Sequence, residues 1–186
     1  MMIILASKSP RRKQLLKKLV PTFKIIPADV DESKVRAPVA KLAEETSKLK
    51  ARAVAKLYPN DLVIGCDTVV VYNNQIFGQP VDASDAKAML KTLSGETHYV
   101  ISGYTLISNG EEISRSVTSK VTFNHLSDEL ITAYVASGKP LDKAGSYGIQ
   151  DEEFALVKKV EGSYDNVMGL PTEDLSKYLD LLKRNL

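Results

Sequence analysis

One cysteine, two histidines and no tryptophan stand among the 186 residues. The lone Cys66 excludes an intramolecular disulfide framework, and the isolated His98 and His125 do not form a His/Cys zinc cluster. Any metal would be a hard cation on carboxylates. No apolar run approaches the roughly 20 residues that span a bilayer. The opening "MMIILASKSP" also lacks the basic start and small-residue cleavage site of a secretory signal, so a cytoplasmic chain with no membrane partner is expected. Neither GxxxxGKS/T nor GxGxxG occurs, which excludes the two glycine-rich phosphate-binding motifs. Internal repeats, low-complexity tracts and linkers are missing too. With 6% aromatics and a net charge of +2, a nucleic-acid polymer is not the expected partner.

The charge that is present is unevenly placed. Residues 1–28 hold seven basic side chains (Lys8, Arg11, Arg12, Lys13, Lys17, Lys18, Lys24) and no acid, while the rest carry 18 basic against 23 acidic residues. That concentration suits a small anion better than a long duplex. "MIILA" reads as a buried strand, and Ser9-Pro10 supplies an N-cap followed by proline at the first helical position. On that helix Arg12 shares a stripe with Leu15, Leu16 and Leu19. Two guanidiniums beside the free N–H groups of a helix start repel its dipole unless an anion lies between them, and phosphate matches both the backbone donors and the arginine forks. A solvated basic helix is the plain alternative.

Further along, 38–58 reads as a long amphipathic helix with Leu42, Thr46, Leu49, Ala53 and Leu57 at helical spacing, and "LVIGCDTVVVY" as a central strand. Asn73-Asn74 and Asn109-Gly110 signal hairpins. Asp82 and Ser127 cap helices, "EFALVKKV" reads as a strand, and Thr172 starts the last helix. The mixture predicts a single α/β domain with a mixed sheet flanked by helices. Asp67 stands out within its apolar strand, where an ionised carboxylate is costly without a cation, metal or hydrogen bonds. It could hold a divalent ion or take a proton from water. It suits equally well a structural carboxylate that pairs with a buried lysine or caps a loop. Cys66 has no neighbouring histidine to make it a nucleophile and reads as a small buried side chain.

The stretches Ser7-Lys8-Ser9-Pro10-Arg11-Arg12, "GCDTVV", "LSGETHYV", "DKAGSYGIQ" and "GSYDNVMGLP", in this order and at matching intervals over nearly the whole chain, resemble the Maf family of nucleoside triphosphate pyrophosphatases. The resemblance implies one domain over 1–186, an elongated α/β fold with two lobes around a cleft similar to inosine triphosphate pyrophosphatases, a homodimer, and dependence on Mg²⁺ or Mn²⁺. It implies hydrolysis of a nucleoside triphosphate to monophosphate and pyrophosphate. Asp67-Thr68 and Gly148-Ile149-Gln150 match the branch acting on dTTP and UTP, and modified pyrimidine triphosphates are further candidates. By matching position, Asp67 is the proton acceptor, Arg11, Thr68 and Gln150 are selectivity positions, and Ser7, Arg12, Glu32 and Lys50 bind phosphates or metal, with Glu32 and Asp67 as the metal pair. The alternative function is a nucleotide-binding regulator of cell division or septum formation.

Two positions depart from the family pattern. Gln79 occupies the lysine position of Gly-Lys-Pro, and Asp151 stands where glycine commonly follows Gln150. Glutamine donates a hydrogen bond but neutralises no charge, so Gln79→Lys is expected to raise kcat in a steady-state assay. No gain would show that the site already compensates. Asp151 either restricts its loop or adds an acid near the metal. Finally, strict alternation puts Asp67 and Thr68 on opposite strand faces, so a substrate touching both requires the strand to bend, bulge or end nearby.

Overall fold

The computed structural model describes residues 1–184. Seven strands form one mixed sheet: β1 (Ile3–Leu5), β2 (Lys24–Ile25), β3 (Leu62–Tyr72), β4 (Gln75–Phe77), β5 (Thr97–Ser108), β6 (Glu111–Phe123) and β7 (Val157–Glu161). Their order is β2-β1-β3-β5-β6-β7, with β4 paired to β3. β1 runs parallel to β2 and β3, while β3–β4 and β6–β7 are antiparallel. The helices are α1 (Pro10–Leu16), α2 (Val39–Ala55), α3 (Ala83–Leu93), α4 (Asp128–Ala136), α5 (Tyr164–Met168) and α6 (Thr172–Arg184). This is the expected α/β class with a mixed sheet.

Local chemistry explains most boundaries. Ser9 caps α1 by accepting from the Arg12 N–H, and Asp82 and Ser127 do the same for α3 and α4. Asn73 and Asn74 both adopt positive φ (49° and 60°), as a two-residue hairpin between right-twisted strands requires. The strand expected from "EFALVKKV" is shorter, because Glu152–Phe154 forms a 3-10 turn and Ala155 turns left-handed before β7 begins. The short α5 carries no periodic apolar stripe and was not foreseen.

The chain divides into two compact units. The first comprises Met1–Thr68, Ser102–Val117 and the chain from Gly169 on; the second comprises Val69–Ile101 and Thr118–Met168. In the first, α2 packs on Ile4, Ala6 and Val63 through Ala51 and Val54. Its inward stripe is Ala43, Ser47, Ala51 and Val54; of the expected inner face Thr46 is buried, whereas Leu57 is 73% exposed. The reason is close approach. A Cβ on Gly65 of β3 would lie 2.4 Å from the Ser47 carbonyl oxygen, and one on Gly103 of β5 would lie 2.3 Å from the Ala43 backbone. Only small side chains fit at that distance.

The second unit has its own core of Val70, Leu90, Leu93, Val100, Phe123, Tyr134, Tyr147 and neighbours. Within it His98 is fully buried, its Nε2 2.7 Å from the Tyr147 hydroxyl and its ring edge-on to Phe123 and Tyr147. Burial lowers its pKa to about 4. Since the unfolded value is near 6.5, the unfolded chain binds the extra proton, and His98 contributes stability in full above about pH 6.5 that declines as pH falls toward 4. Denaturant midpoints at pH 7.5 and 4.5 should show wild type losing on the order of 2 kcal/mol more than His98→Phe. Equal losses would mean that the ring accepts its proton in the native state.

Candidate active site

β1 ends at Leu5, paired with Ile64, and Ala6 N–H still donates to the Ile64 carbonyl. Beyond that point the chain leaves the sheet through Ser7-Lys8-Ser9 into α1, while β3 continues. The carboxyl end of a parallel strand is where α/β sheets gather ligand-binding groups. Arg12 lies here. Its Nε donates to the Gly169 carbonyl at 2.9 Å, Nη1 to Ser7 Oγ at 3.3 Å and Nη2 to Thr68 Oγ1 at 3.1 Å. All three acceptors are neutral, so the guanidinium is held firmly with its charge left uncompensated among the described residues. Gly169, at φ 120°, turns its carbonyl toward Arg12, and the Cys66 and Thr68 side chains donate to the same oxygen. Thr68 is further fixed by Ser102 at 2.8 Å.

The other face of β3 carries the acid. Alternation is kept: Cys66 and Thr68 reach Gly169, whereas Gly65 and Asp67 face α2. Because Gly65 lets α2 approach, Lys50 Nζ comes within 2.9 Å of Asp67 Oδ1. The same Nζ lies 3.0 Å from Glu32 Oε1. Asp31 fixes the turn that presents Glu32, accepting from the Ser33 N–H at 3.1 Å. Lys50 and Asp67 are nearly buried, with side chains 11% and 17% exposed, while Glu32 is half exposed. Asp67 Oδ2 has no hydrogen-bond partner among the described residues. The buried lysine partner named as the structural alternative is therefore present, yet half of the carboxylate remains available. Asp67 and Thr68 both lie past Ile64, where the pairing of β3 with β1 ends.

The first unit thus brings together Ser7, Arg12 and Thr68 on one face and Glu32, Lys50 and Asp67 on the other. Arg11 stands partly buried in the first turn of α1. Gln79 and Gln150 belong to the second unit. Gln79 is exposed and donates through Nε2 to the Asp142 carbonyl at 3.1 Å, a bond a lysine amine could also make. Gln150 Oε1 is buried without a partner among the described residues. Burial pushes the Cys66 thiol up, so it stays a protonated donor rather than a nucleophile. The sequence did not reveal Ser102 and Gly169 as partners of Arg12 and Thr68. Gly169 sits in a recognisable motif but acts through its carbonyl, and Ser102 is one small residue in an apolar strand.

The sequence model described as "Maf-like protein" matches residues 2–182. The chain belongs to the Maf family. This Maf-family chain is 48% identical over 182 residues to the "dTTP/UTP pyrophosphatase" of Thermosipho africanus (strain TCF52B), covering 98% of this chain and 92% of that one. It is 42% identical over 180 residues to the protein of the same name from Thermococcus gammatolerans, covering 97% and 96%. Its fold is similar to that of the Staphylococcus aureus Ham1 protein, with a TM-score of 0.58 at 14% identity and 97% and 98% of the two chains covered. At that identity the likeness speaks for the fold alone. No helix among the described residues is long and apolar enough to cross a membrane.

Proposed function

We propose that this chain hydrolyses nucleoside triphosphates to the monophosphate and pyrophosphate, with dTTP and UTP as its preferred substrates. The observation that carries the reading is the Glu32–Lys50–Asp67 constellation built around one ammonium group, one residue along β3 from the Thr68 that holds Arg12. Cleavage between the α- and β-phosphates needs an in-line water, a proton acceptor and fixed positive charge. Asp67 Oδ2 takes the proton from the attacking water. Lys50 and Arg12 stabilise the charge on the phosphate oxygens, Arg12 as a fork oriented by Ser7, Thr68 and Gly169. Arg11 adds a second guanidinium at the same helix start. Thr68 influences selectivity through its hold on Arg12, and Gln150 through its amide.

Glu32 and Asp67 already converge on a single cation, and two carboxylates with substrate and water oxygens suit a hard divalent ion. Among the described residues no cluster of three or more His, Cys, Asp or Glu could hold a metal, so an ion on this pair would take its remaining ligands from substrate and water. Mg²⁺ or Mn²⁺ held by Glu32 and Asp67 would neutralise phosphate charge. The relatives' name supports hydrolysis, and a non-hydrolysing regulator of cell division is less favoured because such a role needs no proton acceptor. The chain acts as one domain over 1–186 and as a homodimer, in the cytoplasm, without a nucleic-acid polymer.

The deciding assay incubates purified protein with dTTP, UTP, CTP, ATP and GTP over a Mg²⁺ and Mn²⁺ series and measures pyrophosphate. Release should be fastest from dTTP and UTP. Binding of triphosphate with no pyrophosphate under any metal would overturn the enzyme reading in favour of the regulator.

A further inference from the structure

We propose that Asp151 is a positioning residue for base recognition: together with Tyr134 it closes a ring of hydrogen bonds around the turn that carries Gln150. This rests on the reading of Gln150 as the base-selecting amide. Asp151 N–H donates to the Gly148 carbonyl at 3.1 Å, making a four-residue turn with Ile149 and Gln150 at its centre. Gly148 N–H donates to the Tyr134 hydroxyl at 3.0 Å, and that hydroxyl donates to Asp151 Oδ2 at 2.6 Å. The two ends of the turn are therefore joined twice, once directly and once through a phenol that α4 brings in. Tyr134 is fully buried and Asp151 is 8% exposed. Burial, reinforced by the bond to Asp151, pushes the phenol's pKa up, so it remains a donor throughout the working range.

The Gln150 amide lies close to the glycine that opens this turn. A Cβ on Gly148 would lie 2.8 Å from Gln150 Nε2, 2.8 Å from Lys143 Cε and 2.9 Å from Asp151 Oδ2. Three side chains close over one glycine, so the Gln150 amide packs beside the turn that the ring fixes. Its Oε1 is buried and unpartnered among the described residues, a state that is costly unless a donor arrives. Uracil and thymine offer an N3–H between two carbonyls, which an amide meets with Oε1 accepting and Nε2 donating. Cytosine presents an acceptor at N3 and cannot pair this way. A site built to bond a substrate N–H discriminates strongly only if its acceptor cannot turn aside. Asp151 provides that restraint where the family usually has glycine.

The test measures kcat, KM and melting temperature for wild type, Gln150→Ala, Asp151→Ala, Asp151→Asn, Tyr134→Phe and the Asp151→Ala/Gln150→Ala double variant, with UTP and CTP. Gln150→Ala should lower the UTP/CTP ratio of kcat/KM at least tenfold. Asp151→Ala and Tyr134→Phe should each lower it at least threefold, chiefly by raising KM for UTP. Asp151→Asn keeps an acceptor for the phenol and should recover at least half of the ratio. The double variant should match Gln150→Ala alone, since positioning has no effect without the group positioned. If Asp151→Ala and Tyr134→Phe lower the melting temperature but leave the ratio unchanged, the ring is only structural and the proposal fails while the role of Gln150 stands. An unchanged ratio in Gln150→Ala overturns the reading of Gln150 itself. Should Asp151→Ala not fold, Tyr134→Phe decides.

Discussion

Asp67→Asn should reduce pyrophosphate release from UTP by about a thousandfold, within the range expected for loss of a positioned base, and leave the fold in place. Asparagine has the same shape and can still accept from Lys50 through its amide oxygen. It cannot take a proton from water at Oδ2. Lys50 keeps Glu32 as a charged partner 3.0 Å away, so the ammonium is not abandoned. The competing account makes Asp67 merely the counter-ion of a buried lysine. On that account the substitution weakens a pair, leaving Glu32 as the remaining charged partner of Lys50 among the described residues, and does nothing to catalysis by folded molecules. Activity would then fall only as far as the folded fraction does.

Melting temperature and turnover per folded molecule separate the two accounts. If Asp67 serves only the ion pair, Asp67→Asn lowers the melting temperature while its folded molecules keep the wild-type kcat. If Asp67 is the proton acceptor, kcat falls about a thousandfold well below the melting transition. Wild-type turnover by folded Asp67→Asn would sink the catalytic role.

Asp67 was legible because an acid in an apolar strand is costly and so marks a purpose, and Arg12 because cations at a helix start run against the dipole. Both are chemical anomalies within a few residues of sequence. Lys50 and Glu32 were not visible in this way, since a lysine on a helix and an acid in a loop are ordinary. Lys50 became a candidate only through the family resemblance, while Glu32, a possible oxygen ligand in its loop, gained a specific role there. What joins them to Asp67 is a distance across the sheet, set by Gly65 on one element and Ala51 on another. The same distance misled the reading of α2. The leucines at helical spacing look like an inner face, yet the helix turns its small residues inward because the sheet offers it glycines. Caps and hairpin turns were read well because their chemistry is local. Asp151 shows the limit in the other direction: its departure from the family pattern was plain, but its bond to Tyr134, 17 residues earlier on another element, was not.

Gly65→Ala tests that packing and its link to chemistry in one variant. The added methyl would meet the Ser47 carbonyl oxygen at 2.4 Å and the Ala51 N and Cβ at 2.8 Å, against an ordinary contact of about 3.5 Å. Two of these three atoms are helix backbone, so rotating a side chain does not relieve the clash, and α2 must move by about 1 Å. Overpacking of this kind costs on the order of 3 kcal/mol, or about 6–12 °C in Tm for a chain of this size. Alanine's lower unfolded-state entropy returns only about 0.4–1 kcal/mol of that. Lys50 rides on the displaced helix, and a misplacement of about 1 Å can cost about a hundredfold in rate. Tm and kcat should therefore fall together. Gly78→Ala is the stability control, because nothing lies within 4 Å of a Cβ at that position and its Tm should stay within about 2 °C of wild type. If Gly65→Ala matches that control in Tm and keeps wild-type turnover, α2 does not lie on the sheet as described, and the Lys50–Asp67 contact built on that approach falls with it.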